Sequence, residues 1–497
     1  MMLFKRHRHQ PGVMALLIMS ILAGCTGLEN AFTERSLNEF RQRTKKANTC
    51  VKHFKAIDRI TEDTADAKTF RIPGFPYLRI NRFLASYAPK KLTGTSFTQW
   101  LQYLRRLDRQ ARSIEFANLP DYIRARHKDL PIKIERCADL FMAVDFKQRH
   151  IKEALLQSYF VPDAYNRWSQ IAGLYPLSVI PVRFGIMHLH QSQRNDFKQS
   201  TVPKNPHRYA PATAQTYDPH TVQAIFRNTN KDALGIPLYN AHDLKILFAL
   251  FAPVFEIGTE SGDDKPGRVT FNTTGRLQID TKHPAVYHHL AYTRFRGRVL
   301  TQLVYTIWFP ARTAQHALDI FAGPLDGLMW RVTLDHHGRP MIYDSAHPCG
   351  CYHLFFPVRP WSIAHVEQHA FHGEPPVAPI AGPPLHQGQR IYLRLKPGTH
   401  YLTSVTAKRT GHKSSHRYRF LEANMLRSLA HPEGRKSLYG FDGLVAESAR
   451  PERFFLWPMG VASAGTMRQW GHHATAFIGT RHFDDADLFG RILTRRR

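Results

Sequence analysis

Three times between residues 268 and 407, a glycine-containing turn separates two runs rich in β-branched and aromatic residues. Residues 268–280 (RVTFNTTGRLQID) turn at Thr274-Gly275, and residues 329–344 (MWRVTLDHHGRPMIYD) turn at His337-Gly338. Residues 390–395 and 400–407 flank Pro397-Gly398. Glycine reaches the positive φ that tight hairpins need, so each pattern reads as two strands closed by a short turn. Strands joined this way run antiparallel, whereas parallel strands need long crossovers. This half of the chain is therefore expected to build on antiparallel hairpins. Residues 298–308 add an apolar strand, and 178–190 (SVIPVRFGIMHLH), β-rich in its middle, reads as another. Residues 243–251 read as a buried helix. Residues 192–235, polar and rich in Asn, Gln and Pro, read as a long excursion with one short helix. A Pro-rich loop at 373–384 separates the last two hairpins.

Residues 47–170 read mainly helical. Ser96-Phe97-Thr98-Gln99 has the form of a capping box, with Ser96 as N-cap and Gln99 at N3. Trp100, Leu104, Leu107 and Ala111 then recur at helical spacing on one face. Arg105, Arg109 and Arg112 fall on an adjacent face, a basic stripe suited to anionic lipid or else to open solvent. No repeat at a solenoid period is present. The expected class is α+β: a helical domain over 47–170, a domain of antiparallel hairpins with flanking helices over 171–410, and a basic C-terminal segment, 411–497, packing on it.

The chain has 497 residues, 43% hydrophobic and 22% charged, a globular balance. After residue 25 no stretch approaches about 18 uninterrupted apolar residues, so the body is not expected to span a bilayer. The N-terminus differs. Lys5, Arg6 and Arg8 precede a short apolar stretch, 13–22, which ends in Leu22-Ala23-Gly24-Cys25. The stretch is too short to cross a hydrocarbon core of about 30 Å and has the form of a secretory signal. With its terminal cysteine it resembles the lipobox of bacterial lipoproteins, a resemblance confined to residues 1–25. It implies removal of 1–24, acylation of Cys25 (palmitate among the chains) and a short tether over 25–46. Thr26 stands where inner-membrane retention would place Asp. By resemblance to Gram-negative sorting, that implies the outer membrane, facing the periplasm.

Lys and Arg number 68 against 39 Asp and Glu, a formal net charge of +29. At a membrane this adds attraction for anionic lipid or an envelope polymer. Export makes nucleic acid an unsuitable physiological partner despite the charge.

Four cysteines remain in an oxidising compartment. Cys50 and Cys137, both in the helical half, are expected to form a disulfide. Cys349 and Cys351 lie within His347-Pro348-Cys349-Gly350-Cys351-Tyr352-His353, the densest chemistry in the chain. Three readings stay open there. One is a tight, easily reduced Cys349–Cys351 bridge, either a redox element or a local staple. Another is a zinc site drawing two or three ligands from His347, Cys349, Cys351 and His353, which share a face if the run is extended. The last bridges one of these cysteines to Cys50 or Cys137. No cofactor is required, and zinc is the metal these donors suit. Asp344, or Asp335, is the candidate general base for a zinc hydrolase.

Other patterns fail on inspection. His365-Val366-Glu367-Gln368-His369 has its glutamate one place too late for HExxH. His365, His369 and His372 would nonetheless align on a helix. The pairs His288-His289, His336-His337 and His472-His473 each offer at most one convergent ligand. Ser463 lacks the glycine two residues before it that a nucleophile elbow needs. Asp344-Ser345 beside His347 holds triad residue types without triad geometry. There is no P-loop and no dinucleotide fingerprint.

The sequence therefore predicts an envelope lipoprotein with a binding or structural role at a lipid or envelope surface. The alternative is a lipid-anchored enzyme, metal-dependent or thiol-redox, centred on 344–353.

Overall fold

The computed structural model describes residues 45–87, 91–199, 202, 206–364, 373–409 and 416–496. Cys25 with its signal, most of the tether, and His365, Glu367, His369 and His372 lie outside the described residues.

The N-terminal part is helical around one small hairpin. Helix α1 (Lys45–Ile60) is followed by β1 (Phe70–Ile72) and β2 (Phe75–Ile80), then α2 (Gly94–Ala117), α3 (Leu130–Val144) and α4 (Arg149–Ser158). Trp100, Leu104 and Ala111 of α2 are fully buried, as their spacing requires, and Trp100 and Leu104 share a core with Phe54, Tyr77, Ile134 and Phe141. Helix α2 begins one turn earlier than expected: Thr93 is the N-cap, and Ser96 sits at N3 of the capping box. Cys50 of α1 and Cys137 of α3 form the expected disulfide, with Cα atoms 5.3 Å apart.

The basic stripe on α2 is not a lipid-facing surface. Arg105 reaches Glu135 at 2.6 Å, and Arg112 reaches Asp108 at 3.0 Å and Asp58 at 2.8 Å. Asp108 and Glu115 also bind the fully buried Arg79, at 3.3 and 2.8 Å. Only Arg109 is substantially exposed, and it too pairs with Glu135. The arginines that looked like a membrane contact pair with the buried Asp108 of their own helix and with the half-buried Asp58 and Glu135 of neighbouring ones.

A second correction concerns residues 178–190. They form the middle of a long helix, α5 (Tyr175–Gln199), which carries Pro181 inside it. Val179, Ile186, His190, Gln193 and Phe197 are its buried residues, a helical stripe. β-branched residues lower helix propensity only slightly, and packing of this stripe overrides that preference. The excursion after it is shorter than expected. It contains strand β3 (Pro206–Pro211) and the anticipated short helix, α6 (Pro219–Asn228), capped by Asp218. The buried helix, α7 (Ala241–Leu250), follows.

Then come β4 (Val254–Gly258), β5 (Arg268–Phe271), β6 (Leu277–Asp280), β7 (Ala285–Phe295), β8 (Arg298–Arg312), β9 (Gly323–Leu334), β10 (Pro340–Ala346), β11 (Leu354–Pro357), β12 (Trp361–Ile363), β13 (Gln389–Leu395), β14 (Leu402–Arg409) and β15 (His416–Glu422). The three predicted hairpins are present as β5–β6, β9–β10 and β13–β14, all antiparallel. Strands β5 and β6 make their own small sheet. The main sheet has ten strands in the order β11-β10-β9-β8-β7-β15-β3-β4-β13-β14. Strands β7 to β11 form an antiparallel meander. Strand β15 pairs parallel with β3 through 416–418 and with β7 through 419–422, and so joins the two halves. The C-terminal segment therefore does more than pack on the sheet, because its first strand completes it. The rest, to residue 496, is largely irregular chain that covers the end of the meander where β10 turns into β11.

Candidate functional site

Strand β10 delivers His347 to that turn, and β11 leaves from His353. Between them the chain is folded tightly. His347 N–H donates to Cys351 O at 3.0 Å, and Gly350 N–H donates to His347 O at 2.8 Å. Gly350 has φ +93°, and a Cβ there would strike the carbonyl of Ala474. The run is not extended, so alternate residues do not share a face.

The two histidines turn to different carboxylates. His347 Nδ1 lies 3.2 Å from Asp326, while His353 Nε2 lies 2.9 Å from Asp344. Burial lowers His353 to about 4 against the pull of Asp344. Asp344, the candidate base, is fully buried and held by Arg331 at 2.9 Å. Asp335 accepts from the backbone N–H groups of His337 and Arg339 in the β9–β10 turn. Among the described residues no group of three or more His, Cys, Asp or Glu side chains is placed to hold a metal ion. His347 and His353 thus face different carboxylates rather than a shared point. Ser463 hydrogen-bonds Thr466, and His472 contacts the carbonyl of Ala67.

Cys349 and Cys351 are both free thiols, so the expected local bridge is not formed. They are nevertheless adjacent: Cys351 N–H donates to Cys349 Sγ at 3.4 Å. Burial pushes Cys349 up, but the Cys351 thiol and the Arg450 guanidinium outweigh it and hold Cys349 below its ordinary value. Donating to Cys349, together with burial, pushes Cys351 well up. Cys349 is buried, whereas Cys351 opens into a cavity of about 450 Å³.

Helix α5 forms one wall of this cavity with Val182, Ile186 and Leu189, and Phe321 and Phe477 add apolar surface. The polar groups are few. Glu374 lies 3.2 Å from His190 and accepts the N–H of Phe477 at 2.9 Å. Glu452 is 3% exposed, and among the described residues its carboxylate has no hydrogen-bond or ion-pair partner. Burial pushes Glu452 up to about 7, despite the charges of Arg450, Arg312 and Arg468 nearby. Gly465, at φ +81°, leaves room for this carboxylate, and a Cβ there would collide with it.

Behind the cavity wall runs a buried polar chain. Asp326 contacts His347 and, at 2.8 Å, His400 Nδ1, and it lies 3.5 Å from Arg450. Burial pulls His400 down, but Asp264 and Asp326 outweigh it and raise it above its ordinary value. His400 stacks on Phe309, with ring centroids 3.8 Å apart. Arg312 donates to the hydroxyls of Tyr352 and Tyr401, both of which line the cavity. These contacts fix the 347–353 loop on β8, β9 and the start of β14.

Of the predicted site, the structure places Cys351 and His353 on the cavity, with Cys349 beneath Cys351. His347 and Asp344 are built into the buried network. Glu452, Glu374, His190, Asp326, His400 and Arg450 were not anticipated. They come from segments spread between positions 190 and 452, with His190 and Glu374 alone 184 residues apart, and no local spacing in the sequence marks them. No protein family, curated protein or solved structure gives a match to the chain.

Proposed function

We propose that this chain is a cell-envelope lipoprotein, anchored through Cys25, that carries out thiol–disulfide exchange with Cys349 and Cys351. The observation that carries the reading is a pair of free cysteines, with Cys351 N–H on Cys349 Sγ, one of which opens into a cavity that also holds a carboxyl group pushed up to about 7. Exchange needs a thiolate, a second thiol to resolve the mixed disulfide, and a proton carrier for the leaving sulfur. Cys351, whose sulfur opens into the cavity, attacks one sulfur of a substrate disulfide as its proton passes to the Cys349 sulfur. The other substrate sulfur leaves and takes a proton from Glu452. Cys349 then attacks Cys351, its proton passes to the second substrate sulfur, the Cys349–Cys351 bond forms, and that sulfur departs as a thiol. Two electrons pass from the cysteine pair to the substrate disulfide. The reverse sequence oxidises a substrate dithiol. A bridge across one glycine is strained, which favours ready reduction and exchange over a permanent staple.

The test is a redox titration of the full chain against reduced and oxidised glutathione, read by mass spectrometry of 349–351 peptides. The expected result is a reversible intramolecular bridge, with Cys349→Ser trapping a mixed disulfide on Cys351. Thiols that stay reduced and unreactive until the protein unfolds would overturn the proposal.

The apolar lining of the same cavity favours a second reading, non-catalytic binding of an envelope ligand. Unreactive thiols together with retained ligand would select it.

A further inference from the structure

The outer face of α5 and the nearby 454–457 turn are the part of the molecule richest in uncovered apolar side chains. Twenty large hydrophobic residues are exposed among those described, and ten of them fall within 168–187 and 454–457. Leu177, Ile180, Phe184 and Met187 recur every three or four residues, so they form one face of α5. Leu177 is 66% and Phe184 69% exposed. The opposite face packs inward, with Val179 and Ile186 against Met459. Phe454, Phe455 and Trp457 stand beside this helix on the chain that leads to Met459. The turn is fastened to residues 166–170, where Asn166 N–H donates to Gly460 O at 2.7 Å and Gln170 donates to Met459 O at 3.1 Å. The two stretches thus make one continuous surface. Its charge is one-sided: 167–195 contains Arg167, Arg183 and Arg194 and no acidic residue, and Arg453 precedes Phe454.

We propose that this face of α5, with the 454–457 turn, is a membrane-docking surface that seats the protein on a bilayer carrying anionic head groups. A helix with an apolar face flanked by arginine and tryptophan is the form that lies in a membrane interface. Charge selects the bilayer over the other occupants. A second copy would bring the same cations and a large positive net charge of its own. A tether at residue 25 leaves the orientation of the body free, and this second contact fixes it. The docking does not rest on the thiol chemistry.

The test uses the mature chain, without residues 1–24 and unacylated (Cys25→Ser), with vesicles of phosphatidylethanolamine and phosphatidylglycerol. Co-flotation with the vesicles is expected, weaker on neutral phosphatidylcholine and at high salt. Leu177→Ser/Phe184→Ser should lower the bound-to-free ratio at least tenfold, about what loss of two buried apolar side chains predicts, with an unchanged melting temperature because both positions are exposed. Brominated lipid should quench tryptophan fluorescence, and Trp168→Phe/Trp457→Phe should abolish that quenching. Equal flotation of the serine variant, quenching that survives loss of both tryptophans, or a dimer in solution that the serine variant dissociates would each overturn the proposal.

Discussion

Glu452 is the residue whose ionisation most directly reports on the cavity. Its carboxyl rises from the ordinary value of 4.5 to about 7 because burial outweighs the arginines around it. A carboxyl raised on folding binds its proton more tightly in the native state. Its penalty is therefore absent below about pH 4.5, grows as the pH passes through the interval, and is complete above about pH 7. Glu452→Gln should leave stability nearly unchanged at pH 4 and raise it at pH 8, by up to about 3 kcal/mol. Urea unfolding at the two pH values reads the difference. Equal effects at both would show that Glu452 ionises normally. The same residue shows the limit of reading a sequence locally. Glu452 stands in a stretch without a motif, and its properties come from Gly465, Arg450, Arg468 and the α5 wall. The thiols were legible as a pair because they are neighbours in sequence, but that one opens to a cavity and the other lies beneath it was not.

At the scale of elements, the hairpins were legible because their turns carry their own instruction: Gly275, Gly338 and Gly398 all have positive φ. Helix α5 was not legible, since Val179, Ile180 and Val182 favour strand locally and only packing against Met459 and Ile478 selects the helix. The arginines of α2 went astray for a related reason. Helical spacing shows which residues share a face but not what that face meets, and here it meets Asp58, Asp108 and Glu135. The α1–α3 disulfide gives a prediction at this scale. It joins residues 87 apart in sequence. The chain-entropy estimate for a loop of that size is about 4–5 kcal/mol. Cys50→Ala/Cys137→Ala should lose stability of this order in urea unfolding, with the spectroscopic loss beginning in the helical region. A loss below about 1 kcal/mol would mean that packing of Phe54, Tyr77 and Phe141 holds the region unaided.

For the whole molecule, the proposed anchor and the docking face act together. No helix among the described residues is long and apolar enough to cross a membrane. Cys25→Ser should therefore shift the chain in the producing bacterium from tight membrane association, resistant to high salt, to a weaker association that salt reverses. Sodium chloride extraction of washed membranes reads this. Release without salt would leave α5 with no membrane role, and unchanged salt resistance would mean that Cys25 is not the anchor.

Much of the chain's character lay in the sequence alone: an α+β chain, its hairpins and their turns, the pairing of Cys50 with Cys137, an excess of positive charge, and an N-terminus of lipoprotein form. These are properties of neighbouring residues, of regular spacing or of composition, so they survive without knowledge of the fold. Only the tertiary structure decided that β15 joins the two halves of the sheet, that His347 and His353 part to different carboxylates, and that Glu452 meets Cys351 across a cavity. Those outcomes depend on burial and on contacts between distant segments. Because burial shifts ionisation and sets which groups can pair, the chemistry of the site exists only once the chain has closed around it.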